Sequence, residues 1–357
     1  MKALRYHGRG DLRLDEIDEP ICGEDQVKLK PEYVGICGTD LNEYLSGPFI
    51  IPTSAHPLTG EQLPVTLGHE ISATVTEVGS KITDIQKGDK VAVFPLLADN
   101  TCGPCQRGLP NCCANFGSIG FSGAGGLSES LVTSRGNVLK LPADVSLEAG
   151  ALAEPLTVAW HALSRSPFQR GDDALIVGAG PVGLAVIQVL RARGAGKILV
   201  SELSPRRQEL AQHFGADYIL DPTNPDTVQM CKTLCSGEGP ALVFDAAGVQ
   251  SGLDLALAAS RTGATIVNIA TWKTQPLISS VPFIMGEKNY IGTMVYVKGD
   301  FDKVIEAMGS GESSSVDLLT LSLEYKNAGR RSSADTNDYR RNSTGRGHRK
   351  WDSEASF

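Results

Sequence analysis

No stretch of this 357-residue chain stays apolar for anything near the ~20 residues that a membrane-crossing helix requires. The first twenty residues, MKALRYHGRGDLRLDEIDEP, lack the apolar centre of a secretory signal. Basic residues are not in excess: 33 Lys and Arg stand against 41 Asp and Glu, a net charge of −8, which argues against nucleic acid as the partner. No internal repeat is visible. These absences make a cytoplasmic protein with no membrane partner the expectation. A disulfide framework is disfavoured there, and clustered thiols serve more often as metal ligands or catalytic groups.

Clustered thiols are present. The segment DNTCGPCQRGLPNCC, residues 99–113, holds four of the eight cysteines. Cys102 and Cys105 form C-x-x-C, and Cys112 and Cys113 are adjacent. By spacing alone, a zinc site, a redox pair and four packed thiols all remain open, although a redox pair wants a thioredoxin-like βαβ context. Cys22, Cys231 and Cys235 read as inert thiols.

The 41% of apolar residues allow a packed core, and the length suits two domains. Over residues 1–155, short runs rich in Val, Ile and Thr (QVKLKPEYVGIC, EISATVTEVGS, KVAVFP, LSESLVTS) alternate with Gly and Pro, which predicts a small β barrel or sandwich. From about residue 156 the rhythm changes. DALIV, KILVSE, YIL, ALVFDAAG and ATIVNIA are short apolar strands separated by helical stretches, the pattern of a parallel α/β sheet. One helix is marked at both ends, with Ser204 as N-cap, Pro205 at the first helical position and Gly215 as terminator, and Leu210 and Phe214 would face the sheet. After Leu323 no Leu, Ile, Val or Met occurs. Residues 324–357 bury too little apolar surface to offset their ordering entropy and are expected to form a disordered, atypical polar tail.

DALIVGAGPVGL carries Gly178, Gly180 and Gly183 as G-x-G-x-x-G between a strand and a helix, a dinucleotide signature in the right context. Gly178 permits the tight turn, Gly180 the approach of a pyrophosphate, and Gly183 close helix–strand packing. Glu202, ending the next strand, suits ribose hydroxyls and repels a 2′-phosphate, so NAD is favoured over NADP. Arg206 and Arg207 lie close enough to weigh the other way.

Three further stretches, GICGTD, LGHE and ALAEP, say little singly. Together with LPVTLGHE, GFSGAGGLSE, AEPLTVAWHAL, VGAGPVGL and EKNYIGTMVYVKGDFDKVIEAM, and in this order, they resemble the zinc-dependent medium-chain dehydrogenases, closest to the butanediol, sorbitol and related polyol branch. The likeness spans residues 1 to about 311. It implies a two-domain α/β fold: a GroES-like catalytic domain (1–155) bearing a zinc lobe (99–113), a Rossmann doubly wound parallel sheet (156–295), and a partial return to the catalytic domain (296–323).

The resemblance also assigns residues. Cys37, His69 and Glu154 would bind a catalytic zinc with one position left open, and Glu70 would be a nearby or alternative ligand. Asp99, Cys102, Cys105 and Cys113 would hold a structural zinc, with Asp99 standing where the family usually has cysteine. Thr39 would be the first proton relay, and Asp40 would hold His69 from behind. The implied reaction is NAD-dependent oxidation of a secondary alcohol in a small diol or polyol, such as 2,3-butanediol, reversible toward acetoin or diacetyl. A homo-oligomer, dimer or tetramer, is implied as well. One departure is Asn42, where close relatives often carry a relaying His; His56 is a possible substitute. The replaced C-terminus raises a rival expectation, an inactive or destabilised chain.

Overall fold

The computed structural model describes residues 1–309. The polar segment 324–357 and the end of the 296–323 return lie outside the described residues.

The β-rich half is built on a five-stranded antiparallel sheet in the order Val138–Lys140, Lys90–Val93, Glu70–Val78, Gln26–Gly35, Leu131–Ser134. Its inner face is apolar by alternation: Ile71, Ala73 and Val75 of one strand pack with Val27 and Leu29 of the next. Pro31 cannot donate to a ladder. It sits at a register shift between Pro31 and Tyr33, where the pairing is interrupted. A smaller sheet pairs Lys2–Gly8 with Asp11–Glu16 and Val65–Thr66.

Register places the candidate ligands. Gly35 pairs with Glu70, so the strand that ends at Gly35 and the strand that begins at Glu70 meet at one end of the sheet. Cys37 follows directly as N-cap of the helix Gly38–Ser46. Its N–H donates to Asp40 Oδ2 at 2.8 Å, which stops the strand and starts the helix at this point.

The second half is a six-stranded parallel sheet in the order Tyr218–Leu220, Ile198–Ser201, Ala174–Val177, Leu242–Asp245, Thr265–Asn268, Asn289–Gly292. Counted along the chain this is 3-2-1-4-5-6, the Rossmann order. Ala174–Val177 is buried along its whole length, as expected for a strand covered on both faces. The helix marked in the sequence forms over Pro205–His213 with Ser204 as N-cap, and Leu210 and Phe214 are buried.

Two helices tie the halves together. Ala153–Arg165 spans the expected boundary at residue 155, and Lys298–Gly309 packs on it. His161 Nδ1 and Asp300 Oδ2, both buried, lie 2.6 Å apart across this contact. Among the described residues no helix is long and apolar enough to cross a membrane. All eight cysteines are free.

Candidate metal centres and dinucleotide site

Candidate ligand atoms of Cys37, His69 and Glu70 lie within 4.8 Å of one another. Glu70 is held there by its strand partner: a Cβ at Gly35 would overlap Glu70 Oε2, so the glycine makes room for the carboxylate. Thr39 Oγ1 lies 3.6 Å from Cys37 Sγ. Asp40 Oδ1 faces His69 Nδ1 at 3.7 Å, longer than a hydrogen bond. The His69 ring rests on Phe121, centroids 4.6 Å apart.

Glu154 stands beside this triad, in the first turn of Ala153–Arg165. Its Oε1 accepts the Tyr296 hydroxyl at 2.7 Å. Of the four residues that the resemblance implied around a catalytic metal, the structure brings Cys37, His69 and Glu70 together, Glu70 delivered by the strand start next to Gly35, while Glu154 is tied to Tyr296.

Burial makes the group electrostatically tense. It pushes the Cys37 thiol up to about 12, aided by the Glu154 and Glu70 carboxylates. Asp40 is raised to about 6 and His69 lowered to about 4, again by burial. Burial and the nearby Glu70 likewise raise Glu154. A divalent cation inverts this logic, because it stabilises the thiolate and carboxylates and keeps the imidazole neutral.

In the second cluster, candidate ligand atoms of Asp99, Cys102, Cys105 and Cys113 lie within 4.8 Å of one another, while Cys112 is exposed. Asp99 accepts the N–H groups of Thr101 and Cys102 at 2.8 and 2.9 Å, which hold its carboxyl well below the usual range. The N–H groups of Asp99 and Asn115 point at Cys113 Sγ, each at 3.3 Å, and that of Ala114 at Cys102 Sγ at 3.4 Å. Such donors favour thiolate; the bond from Ala114 lowers Cys102.

The glycine turn lies at the end of Ala174–Val177, where the strand order reverses. Gly178 has φ +89, and a Cβ at Gly183 would overlap the Gly178 carbonyl. At Gly180 a Cβ would meet no protein atom within 4 Å. That glycine keeps space open in front of the helix Pro181–Ala192 instead of relieving a clash. Glu202 is buried, not a solvated strand end: Oε2 accepts Ala179 N–H, and Oε1 accepts the N–H groups of Leu203 and Ser204, all at 2.8 Å. Arg207 Nη1 lies 3.9 Å from Glu202 Oε2.

Comparison with known proteins agrees with this layout. The profile of the alcohol dehydrogenase GroES-like domain matches residues 23–143, and that of the zinc-binding dehydrogenase matches residues 181–310. The (R,R)-butanediol dehydrogenase of Saccharomyces cerevisiae is 35% identical, over 90% of this chain and 90% of its own. That of Bacillus subtilis is 37% identical, over 90% and 91%. The crystal structure of 2R,3R-butanediol dehydrogenase from Bacillus subtilis superposes with a TM-score of 0.83 at 36% identity, over 91% of this chain and 94% of that one. The chain belongs to the zinc-dependent medium-chain alcohol dehydrogenase family.

The donors present suit the metal of this family. One cluster offers thiolate, imidazole and carboxylate, and the other three thiolates and a carboxylate, all common zinc ligands. His69 Nδ1 and Asp40 Oδ1 are buried without a hydrogen-bond partner, so the first cluster is not satisfied by protein groups alone. His56 does not fit the relay considered for it. Its Nε2 lies 3.1 Å from the Phe116 carbonyl and its Nδ1 accepts Leu58 N–H at 3.3 Å, so both ring nitrogens are engaged in holding a loop.

Tyr296, His161 and Asp300 were not assigned a role from the sequence. Tyr296 and Asp300 lie within EKNYIGTMVYVKGDFDKVIEAM. The available signal was chemical: a tyrosine in an apolar setting needs a partner for its hydroxyl.

Proposed function

We propose that the protein oxidises a secondary hydroxyl of a small vicinal diol, 2,3-butanediol or a close relative, with NAD as hydride acceptor. In reverse it reduces acetoin or diacetyl. The carrying observation is the Cys37–His69–Glu70 group, with His69 and Glu70 buried, in a chain that matches proteins named butanediol dehydrogenases over nine-tenths of its length. In this reading residues 1–155 supply the metal donors and residues 156–295 the dinucleotide site.

Cys37, His69 and Glu70 would hold the catalytic zinc with Glu154 at its margin, and Asp99, Cys102, Cys105 and Cys113 a structural zinc. Zinc held there would supply Lewis-acid polarisation of the alcohol, and NAD at the glycine turn would supply the hydride acceptor. The chain's own groups do the rest. Thr39, beside the Cys37 sulfur, receives the proton of the substrate hydroxyl. Asn42 cannot titrate, so the proton leaves Thr39 through water. Asp40 caps the helix that carries Thr39 and faces His69. Gly178, Gly180 and Gly183 shape the pyrophosphate turn. Glu202 braces that turn through Ala179 and, with its charge, disfavours a 2′-phosphate, and Arg207 flanks it.

A homo-oligomer and a cytoplasmic location complete the reading. Among the described residues Asn289–Gly292 is an edge strand. Beside it in the chain, Leu277, Val281, Ile284 and Met285 are exposed, a surface suited to a second copy. Light scattering on purified protein checks this. The inactive alternative has no support among the described residues, because every donor of both clusters and the glycine turn are in place.

The deciding assay follows NADH formation from butanediol stereoisomers, sorbitol and xylitol, with and without prior chelation. Turnover of a butanediol that chelation abolishes is expected. Full activity in zinc-free protein would sink the proposal.

A further inference from the structure

Tyr296 donates its hydroxyl to Glu154 Oε1 at 2.7 Å and is wholly inaccessible to solvent. The proton path above makes no use of this phenol. Its position is nonetheless fixed from several sides. The ring packs against Phe94, centroids 5.9 Å apart, and against Phe301 at 6.0 Å. Two residues earlier, the Met294 carbonyl accepts Asn111 Nδ2 of the cysteine lobe at 2.7 Å. Four residues later, Asp300 is paired with His161. In between, Val295 has φ +36, a conformation that a β-branched residue keeps only where its surroundings over-determine it. A strained backbone, anchored on both sides, thus brings one hydroxyl to one carboxylate.

That carboxylate has an alternative place to go. Both Glu154 and Glu70 act electrostatically on the Cys37 thiol, yet only Glu70 belongs to the tight group with Cys37 and His69. A catalytic zinc keeps three protein ligands and one open position. If Glu154 joined Cys37, His69 and Glu70, that position would be filled by protein.

We propose that Tyr296 is a positioning residue that holds Glu154 behind the Cys37–His69–Glu70 triad, leaving one coordination position open to the alcohol. The inference rests on the metal-site reading above.

The test uses the full chain with cobalt(II) in place of zinc. Cys37→Ser identifies the visible bands of this site, since those of the cysteine lobe survive it. Tyr296→Phe keeps the ring and removes the hydroxyl alone. We expect those bands to shift in Tyr296→Phe as a second carboxylate enters. The KM for the alcohol should rise about 10–100-fold, with kcat changed much less, because substrate must now displace an internal competitor. A chelator should strip the metal no faster than from wild type. The band shift should disappear in the Tyr296→Phe/Glu154→Gln double variant, because an amide is a weaker ligand than a carboxylate. Should Tyr296→Phe not fold, Asn111→Ala releases the anchor on Met294, and a smaller shift in the same direction is expected.

A role in packing alone gives unshifted bands, faster metal loss and a lower Tm. That result, or a shift that persists in the double variant, overturns the proposal. If Cys37→Ser leaves every cobalt band in place, the metal-site reading has failed and the role of Tyr296 falls with it.

Discussion

Cys37, His69, Glu70 and Glu154 lie close together, and burial pushes the Cys37 thiol, the His69 imidazole and the Glu154 carboxyl toward their neutral forms. The Cys37 thiol, pushed up to about 12, keeps its proton at neutral pH in the metal-free protein. Metal binding must therefore displace it, and affinity should fall as pH falls. About one proton should be released per ion bound at this site, as read by calorimetry in buffers of different ionisation enthalpy. The clusters should also separate by substitution. Wild type is expected to carry about two zinc ions per chain. Cys37→Ser should lose one ion and all turnover with little change in Tm. Cys102→Ser should lose the other ion and lower Tm. Elemental analysis and melting curves check both; loss of both ions from either variant would show that the clusters are not independent.

The glycine turn makes the corresponding argument for an element. Gly183 separates helix from strand by less than a methyl group allows, whereas Gly180 borders open space. Gly183→Ala should thus destabilise by about 1–3 kcal/mol through overpacking. Gly180→Ala should leave Tm unchanged and weaken NAD binding, as titration would show. Equal effects on both quantities in both variants would remove this division of labour. Local pattern made much of this level legible. The runs DALIV, KILVSE, YIL, ALVFDAAG and ATIVNIA became the first five strands of the parallel sheet, because a strand buried on both faces must be continuously apolar. The sixth, Asn289–Gly292, was not marked as a strand. Among the described residues it is an edge strand, and none of its four residues is fully buried, so its apolar signal is weak. Cys37, His69 and Glu70, which the structure brings together, were marked by their motifs. The pairing of Glu154 with Tyr296 was not, because it depends on a hydroxyl 142 residues away, just as the place of Glu70 depends on the pairing of its strand with Gly35.

At the scale of the molecule, the contact between Ala153–Arg165 and Lys298–Gly309 is both the joint between the halves and a frame for the candidate site, through Glu154. The His161–Asp300 pair bridges it. Removing one partner leaves the other buried and unsatisfied, at a cost of about 1–3 kcal/mol. We expect His161→Ala to broaden or split the unfolding transition in calorimetry as the halves lose cooperativity. A single sharp transition at the wild-type Tm would show that the pair contributes nothing. Glu154 and Tyr296 join stretches of chain 142 residues apart beside this joint. A disturbance of the joint is therefore expected to be felt at the carboxylate next to Cys37 and Glu70, far from its origin in sequence.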